Sequence, residues 1–90
     1  MKGCIKRKDP EAKLDYGFKW EDWLDGDTLN GSTWTVPDGL IEVSNNYTNT
    51  ITTIWLSGGV SGAVYKVVNS ITTAGGRKDD RTLTVIMRNK

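Results

Sequence analysis

The stretch that most constrains the fold is SGAVYKVVNSITTAGGRKDDRTLTVIMR, residues 61–88, where apolar residues recur at alternate positions on both sides of a glycine-rich, charged interruption. Side chains of a strand alternate between its two faces. Tyr65, Val67 and Ile71 therefore share one face, and Leu83, Val85 and Met87 share one face of a partner strand. Ala74-Gly75-Gly76 begins the tip that joins them. A helix would scatter these residues around its circumference, so this third of the chain predicts a long antiparallel hairpin with one buried side.

The same period runs through KLDYGFKW, which sets Leu14, Tyr16, Phe18 and Trp20 on one face and Lys13, Asp15 and Lys19 on the other. EDWLDGD then reads as a tight acidic connection, with Trp23 and Leu24 tucked into one end of the core. In TLNGSTWTV the parity changes between Leu29 and Trp34, so either a β-bulge or a two-residue turn is expected near Asn30-Gly31. Pro37-Asp38-Gly39 is a turn, because proline pre-sets a corner and glycine supplies a permissive exit. The strand LIEVS follows, with Ile41 and Val43 together, and Asn45-Asn46 opens another loop. ITTIWL is the next strand, with apolar residues on both faces, which leaves open whether Trp55 or the Ile54/Leu56 pair points inward.

Short strands punctuated by turn residues, with no helix longer than a turn, predict an all-β fold. Tyr65 precedes Val67 by two residues, the relation that a tyrosine-corner Tyr holds to the next core position in immunoglobulin-like domains. The expected architecture is an immunoglobulin-like β-sandwich of about six to seven antiparallel strands. Its core draws on Tyr16, Phe18, Trp20, Trp34, Tyr65, Val67, Leu83 and Val85, and one or two of the four tryptophans are expected to be partly exposed. Residues 1–12 read as a flexible basic N-terminal arm ending near Asp9-Pro10, and residues 13–90 as a single domain.

Charge is close to balanced in total and segregated along the chain. Residues 1–19 carry six Lys/Arg against three acids; residues 20–65 carry six acids, including Asp38 and Glu42, and no base; residues 66–90 carry six bases against two acids. Two readings are open: complementary surfaces on neighbouring subunits, or acidic and basic strands paired within one sheet. The basic start is not followed by the contiguous apolar core of a secretory signal, and no stretch approaches the roughly 20 apolar residues that span a bilayer. The expectation is a soluble protein made inside a cell.

The chain has no histidine and a single cysteine, Cys4. It therefore lacks the commonest general base and zinc ligand, and it cannot form an internal disulfide or a Cys–His nucleophile. No catalytic, metal or cofactor site is expected. Asp22, Asp25 and Asp27 offer oxygen ligands, yet without the spacing or distal glutamate of an EF-hand they read as a solvated loop. Asn30-Gly31-Ser32 and Asn46-Tyr47-Thr48 match glycosylation acceptors but read as turns. The glycines of SGGVSG precede neither a Lys-Ser/Thr pair nor a helix, which argues against phosphate binding. The clusters Lys6-Arg7-Lys8 and Arg77-Lys78…Arg81 are too small on a near-neutral chain to indicate nucleic acid.

KDPEAKLDYGFKWEDWL, DGDT, STWTVPDGL, TTIWLSGG and YKVVNSITTAGGRKDDRTLTV, in that order and over nearly the whole chain, resemble a family of small bacteriophage fibre–tail adaptors, which are virion components. The chain departs from that family at MKGCIKRK and at LNG. The resemblance implies a non-enzymatic tail or fibre connector in the virion, synthesised in the bacterial host cytoplasm. Its partners would be other tail or fibre proteins and further copies of itself, with no nucleic acid or membrane involved. No family site carries over. A connector needs exposed tips or aromatic patches, so the expected partner contact is Arg77, Lys78 and Arg81 on the last hairpin tip, with Trp55. On that reading, replacing Arg77 and Arg81 by Ala leaves folding intact and blocks incorporation into particles. The alternative is a stand-alone immunoglobulin-like binding module for a cell-surface glycan or protein. It would show an exposed aromatic platform.

Overall fold

The computed structural model describes residues 13–87 and the backbone of residues 3–8. Seven strands and one helical turn follow in the order β1 (Gly3–Lys8), β2 (Leu14–Lys19), α1 (Glu21–Leu24), β3 (Leu29–Thr35), β4 (Leu40–Tyr47), β5 (Ile51–Gly58), β6 (Val64–Thr73) and β7 (Lys78–Met87). They form a four-stranded sheet ordered β1-β7-β6-β3 and a three-stranded sheet ordered β2-β5-β4. The pairings are antiparallel except β1 with β7, which run parallel. The expected β-sandwich is the fold.

Alternation decides the core. Val67, Ile71, Leu83, Val85 and Met87 point inward from β6 and β7, and meet Tyr16, Phe18 and Trp20 from the β2 side and Ile54 and Leu56 from β5. With Ile54 and Leu56 fully buried, the period of two turns Trp55 outward, where it is half-buried. The parity change in β3 is a bulge: Leu29 pairs with Thr73 and Gly31 with Thr72, leaving Asn30 as the extra residue. Both Leu29 and Trp34 consequently face the core. The helical turn α1 ends where Asp25 takes a left-handed conformation (φ 48°) and gives its N–H to the Glu21 carbonyl.

Tyr65 behaves as a corner residue more than a core residue. It is half-buried, and its hydroxyl accepts the Val60 N–H at 3.2 Å, five residues upstream. Its ring lies against Gly39, where an added Cβ would sit 2.7 Å from the Tyr65 oxygen and where φ is +102°. Glycine is required there on both counts. The ring thus ties the β3–β4 turn to the start of β6.

Two expectations are corrected. The segment expected as a flexible arm contributes a strand, because Gly3–Lys8 adds to the free edge of β7, with Cys4 opposite Leu83 and Lys6 opposite Val85. Its expected end at Asp9-Pro10 lies outside the described residues. Asn45-Asn46 does not open a loop, and neither it nor Asn30 is a turn. β4 continues to Tyr47, and the reversal waits for Thr48, whose hydroxyl accepts the N–H groups of Thr50 and Ile51. From Ile41 onward β4 is exposed on both faces, which leaves Ile41, Val43 and Tyr47 in solvent.

Candidate functional site

The tip between β6 and β7 is built from Thr73 outward. Its N–H bonds the Arg77 carbonyl at 3.0 Å, its hydroxyl accepts the Arg77 N–H at 3.0 Å, and Gly76 returns its N–H to the Thr73 carbonyl. Asp27, which leads into β3, anchors this tip from the side. Its Oδ1 accepts the N–H of Thr28 at 2.8 Å and of Gly75 at 3.1 Å, while Oδ2 meets Arg77 Nε at 3.3 Å. A hydrogen bond from the Thr73 hydroxyl, then the Thr28 N–H, and more weakly Gly75 and Arg77, hold the Asp27 carboxyl below the usual carboxylate range. Asp27 is therefore an ordered acceptor, unlike the exposed Asp22 and Asp25 with which it reads as a solvated loop. Among the described residues no three His, Cys, Asp or Glu side chains are gathered to hold a metal ion.

Arg77 and Arg81 turn back onto their own chain. Arg77 donates from Nη2 to the Leu24 carbonyl at 2.6 Å and from Nη1 to the Trp23 carbonyl at 3.3 Å, and its guanidinium lies 4.3 Å over the Trp23 ring. A helix end leaves carbonyls without intrahelical partners, and the Arg77 fork satisfies two of them on α1. Arg81 sits 4.0 Å over the Trp20 ring and 5.9 Å from Phe18, and donates to the Lys19 carbonyl at 3.0 Å. The rings beneath form one run: Trp34 stacks on Phe18, Phe18 meets Trp20 edge-on, and Trp20 meets Trp23 edge-on at 5.5 Å.

Behind the arginines lies a buried polar link between the sheets. Trp20 Nε1 donates to Thr52 Oγ1 and Asn69 Oδ1, both at 3.2 Å, and Thr52 Oγ1 donates to Asn69 Oδ1 at 2.6 Å. The Asn69 amide then donates to Ser32 Oγ at 3.0 Å and the Thr33 carbonyl at 3.1 Å. Every polar atom of Asn69 is engaged, as a fully buried amide requires. Trp34 Nε1, by contrast, is buried without a partner among the described residues.

The expected partner contact therefore does not assemble as one surface. Arg77 and Arg81 bind backbone carbonyls and aromatic faces of the domain itself. Lys78 is exposed on β7, and Trp55 lies on the outer face of the other sheet. Of the expected core residues, Tyr16, Phe18, Trp20, Trp34, Val67, Leu83 and Val85 are buried, and Tyr65 is half-buried. Burial, and secondarily the Asp15 carboxylate beside it, push the Tyr16 phenol above its usual range. Asn69, Thr52 and Asp27 are the structurally decisive polar residues that motif reasoning passes over.

Among solved structures, the chain is similar to the PKD domain from the KIAA 1837 protein, with a TM-score of 0.61 and 14% identity over 100% of this chain and 85% of that one. This likeness speaks to the fold alone and agrees with the immunoglobulin-like reading. No curated protein matches the chain. The family model described as Podophage GP4 fiber-tail adaptor protein gp77 matches residues 8–86, which takes in every strand from β2 to β6 and all but the last residue of β7. The chain belongs to this family of podophage fiber-tail adaptor proteins.

Proposed function

We propose that the protein is a non-enzymatic subunit of the virion that joins tail and fibre through protein–protein contacts. The family match over residues 8–86 carries this reading. The residue types favour it, since a chain with no histidine and one cysteine has few means of acid–base or nucleophilic chemistry. The fold favours it too: a small sandwich with one compact core still offers uncovered strand edges, and a connector works by such surfaces. Its partners on this reading are other tail or fibre proteins, with neither nucleic acid nor membrane involved. It is made in the bacterial host cytoplasm and resides in the particle. Among the described residues no helix is long and apolar enough to cross a membrane.

The test is mass spectrometry of density-purified particles, with copy number measured against a major tail protein, alongside particles grown without this gene. Stoichiometric presence, and fibreless particles in its absence, are expected. Absence from intact particles would overturn the reading.

A further inference from the structure

We infer that copies of this chain associate head to tail, with the free edge of β4 in one copy pairing along the free edge of β1 in the next. The adaptor reading is not required for this: the surfaces are carried by the isolated chain.

The two sheets end in different strands on opposite sides of the sandwich. β1 is the outer strand of the four-stranded sheet, furthest from β3, while β4 is an outer strand of the three-stranded sheet and lies near β3. Among the described residues, each edge leaves a row of backbone N–H and C=O groups unpaired by any strand. Natural edges are blunted by Lys, Pro or a covering loop. Along Leu40–Tyr47 β4 has neither Lys nor Pro, and its residues from Ile41 onward are exposed among the described residues, with one register shift between Glu42 and Ser44. It is exposed on both faces, with Ile41 58%, Val43 46% and Tyr47 42% accessible. Such a strand is suited to gaining a neighbour.

Charge selects which neighbour. β1 reads GCIKRK, with Lys6, Arg7 and Lys8 and no acid. β3, β4 and the turn between them carry Asp38 and Glu42 and no base. Pairing β1 with a second β1, or β4 with a second β4, brings like charges together, whereas β1 with β4 joins opposite ones. The contact is therefore heterologous, and repeating it gives a ring or a filament. The lengths agree as well, six residues in β1 against eight in β4. The four-stranded sheet of one copy would run on into the three-stranded sheet of the next. Most of β1 precedes residue 8, where the family match begins.

Sedimentation velocity on the full chain tests this with two charge-reversed variants, D38K/E42K and K6E/R7E/K8E, each checked for native circular dichroism. Wild type should associate in a concentration-dependent manner that weakens as salt rises. Each variant alone presents like charges at both edges and should be monomeric. An equimolar mixture should regain association, because the reversed β4 of one now faces the reversed β1 of the other. Recovery in the mixture also shows that the variants are folded. A wild type that stays monomeric at its highest soluble concentration overturns the inference, as do variants that associate like wild type, or a mixture that stays monomeric.

Discussion

Thr52 Oγ1 and Asn69 Oδ1 lie 2.6 Å apart, joining β5 of one sheet to β6 of the other through two side chains with no solvent exposure. Water cannot replace either partner, so the link is costly to break from one side. Asn69→Ala should strip the acceptor from Thr52 and the donor from the Thr33 carbonyl, and lower unfolding free energy by about 2–4 kcal/mol, since each stranded buried group costs roughly 1–3 kcal/mol. Thr52→Val keeps the shape and removes the hydroxyl, costing about 1–3 kcal/mol. In urea titrations the double variant should lose less than the two single losses together, because both remove the same bond. Full additivity would mean that the link contributes nothing.

Trp20 and Trp34 are both at least nine-tenths buried and both touch Phe18, but their indole N–H groups differ in fate. Trp20 donates to two acceptors, while Trp34 Nε1 has no partner among the described residues. Replacing either by Phe removes similar volume, so the cavity contribution is comparable. Trp20→Phe also strips a donor from Thr52 and Asn69, whereas Trp34→Phe removes a donor that was already unpaired. Trp20→Phe should therefore be the more destabilising of the two by about 1–3 kcal/mol. Equal losses in chemical denaturation would contradict this account of the network.

Asp27 makes the domain sensitive to acid at one end. Its folded-state pKa is depressed, chiefly by Thr73 and Thr28. The unfolded value is about 3.9, so the contribution is full above that pH and is lost as pH falls through the lower, folded value. Asp27→Asn should be less stable than wild type near neutrality, and the gap should close below pH of about 4. Urea midpoints across this range give the comparison. Amide exchange at Gly75, whose N–H bonds Asp27, should quicken in the variant at neutral pH. A gap that stays constant into strong acid would show that Asp27 is not the group responsible.

Much of the core was legible because β-strand alternation is a local property. The period that groups Val67 with Ile71 also places Asn69 inside, and the period of Leu83, Val85 and Met87 places Arg81 on the same side. Attention to hydrophobic residues alone hid both. Thr52 likewise shares the parity of Ile54 and Leu56. What stayed illegible depends on tertiary partners. Nothing local in GCIKRK reveals that it pairs in parallel with β7, about eighty residues further along the chain. Beside the Asp27 carboxylate, the acceptors of Arg77 are two backbone carbonyls more than fifty residues away, which no side-chain pattern encodes. A charged tip then reads as free when it is clamped.

That clamp changes what arginine substitutions should do. Arg77→Ala leaves the Trp23 carbonyl without its donor, leaves the Leu24 carbonyl with the Asp27 N–H alone and uncovers the Trp23 ring, and Arg81→Ala uncovers Trp20 and frees the Lys19 carbonyl. Arg77 keeps 44% of its side chain exposed, so solvent screens part of its contribution. About 1 kcal/mol is expected at each position. The sites share the Trp20–Trp23 contact, so the double variant should deviate measurably from additivity. Arg77→Lys should recover little, because one ammonium cannot fork to two carbonyls while lying flat on an indole. The variants should unfold at lower temperature, and any deficit in particle incorporation should vanish at a growth temperature where the double variant is folded. A deficit that persists with folded protein would show instead that the two arginines also contact a partner.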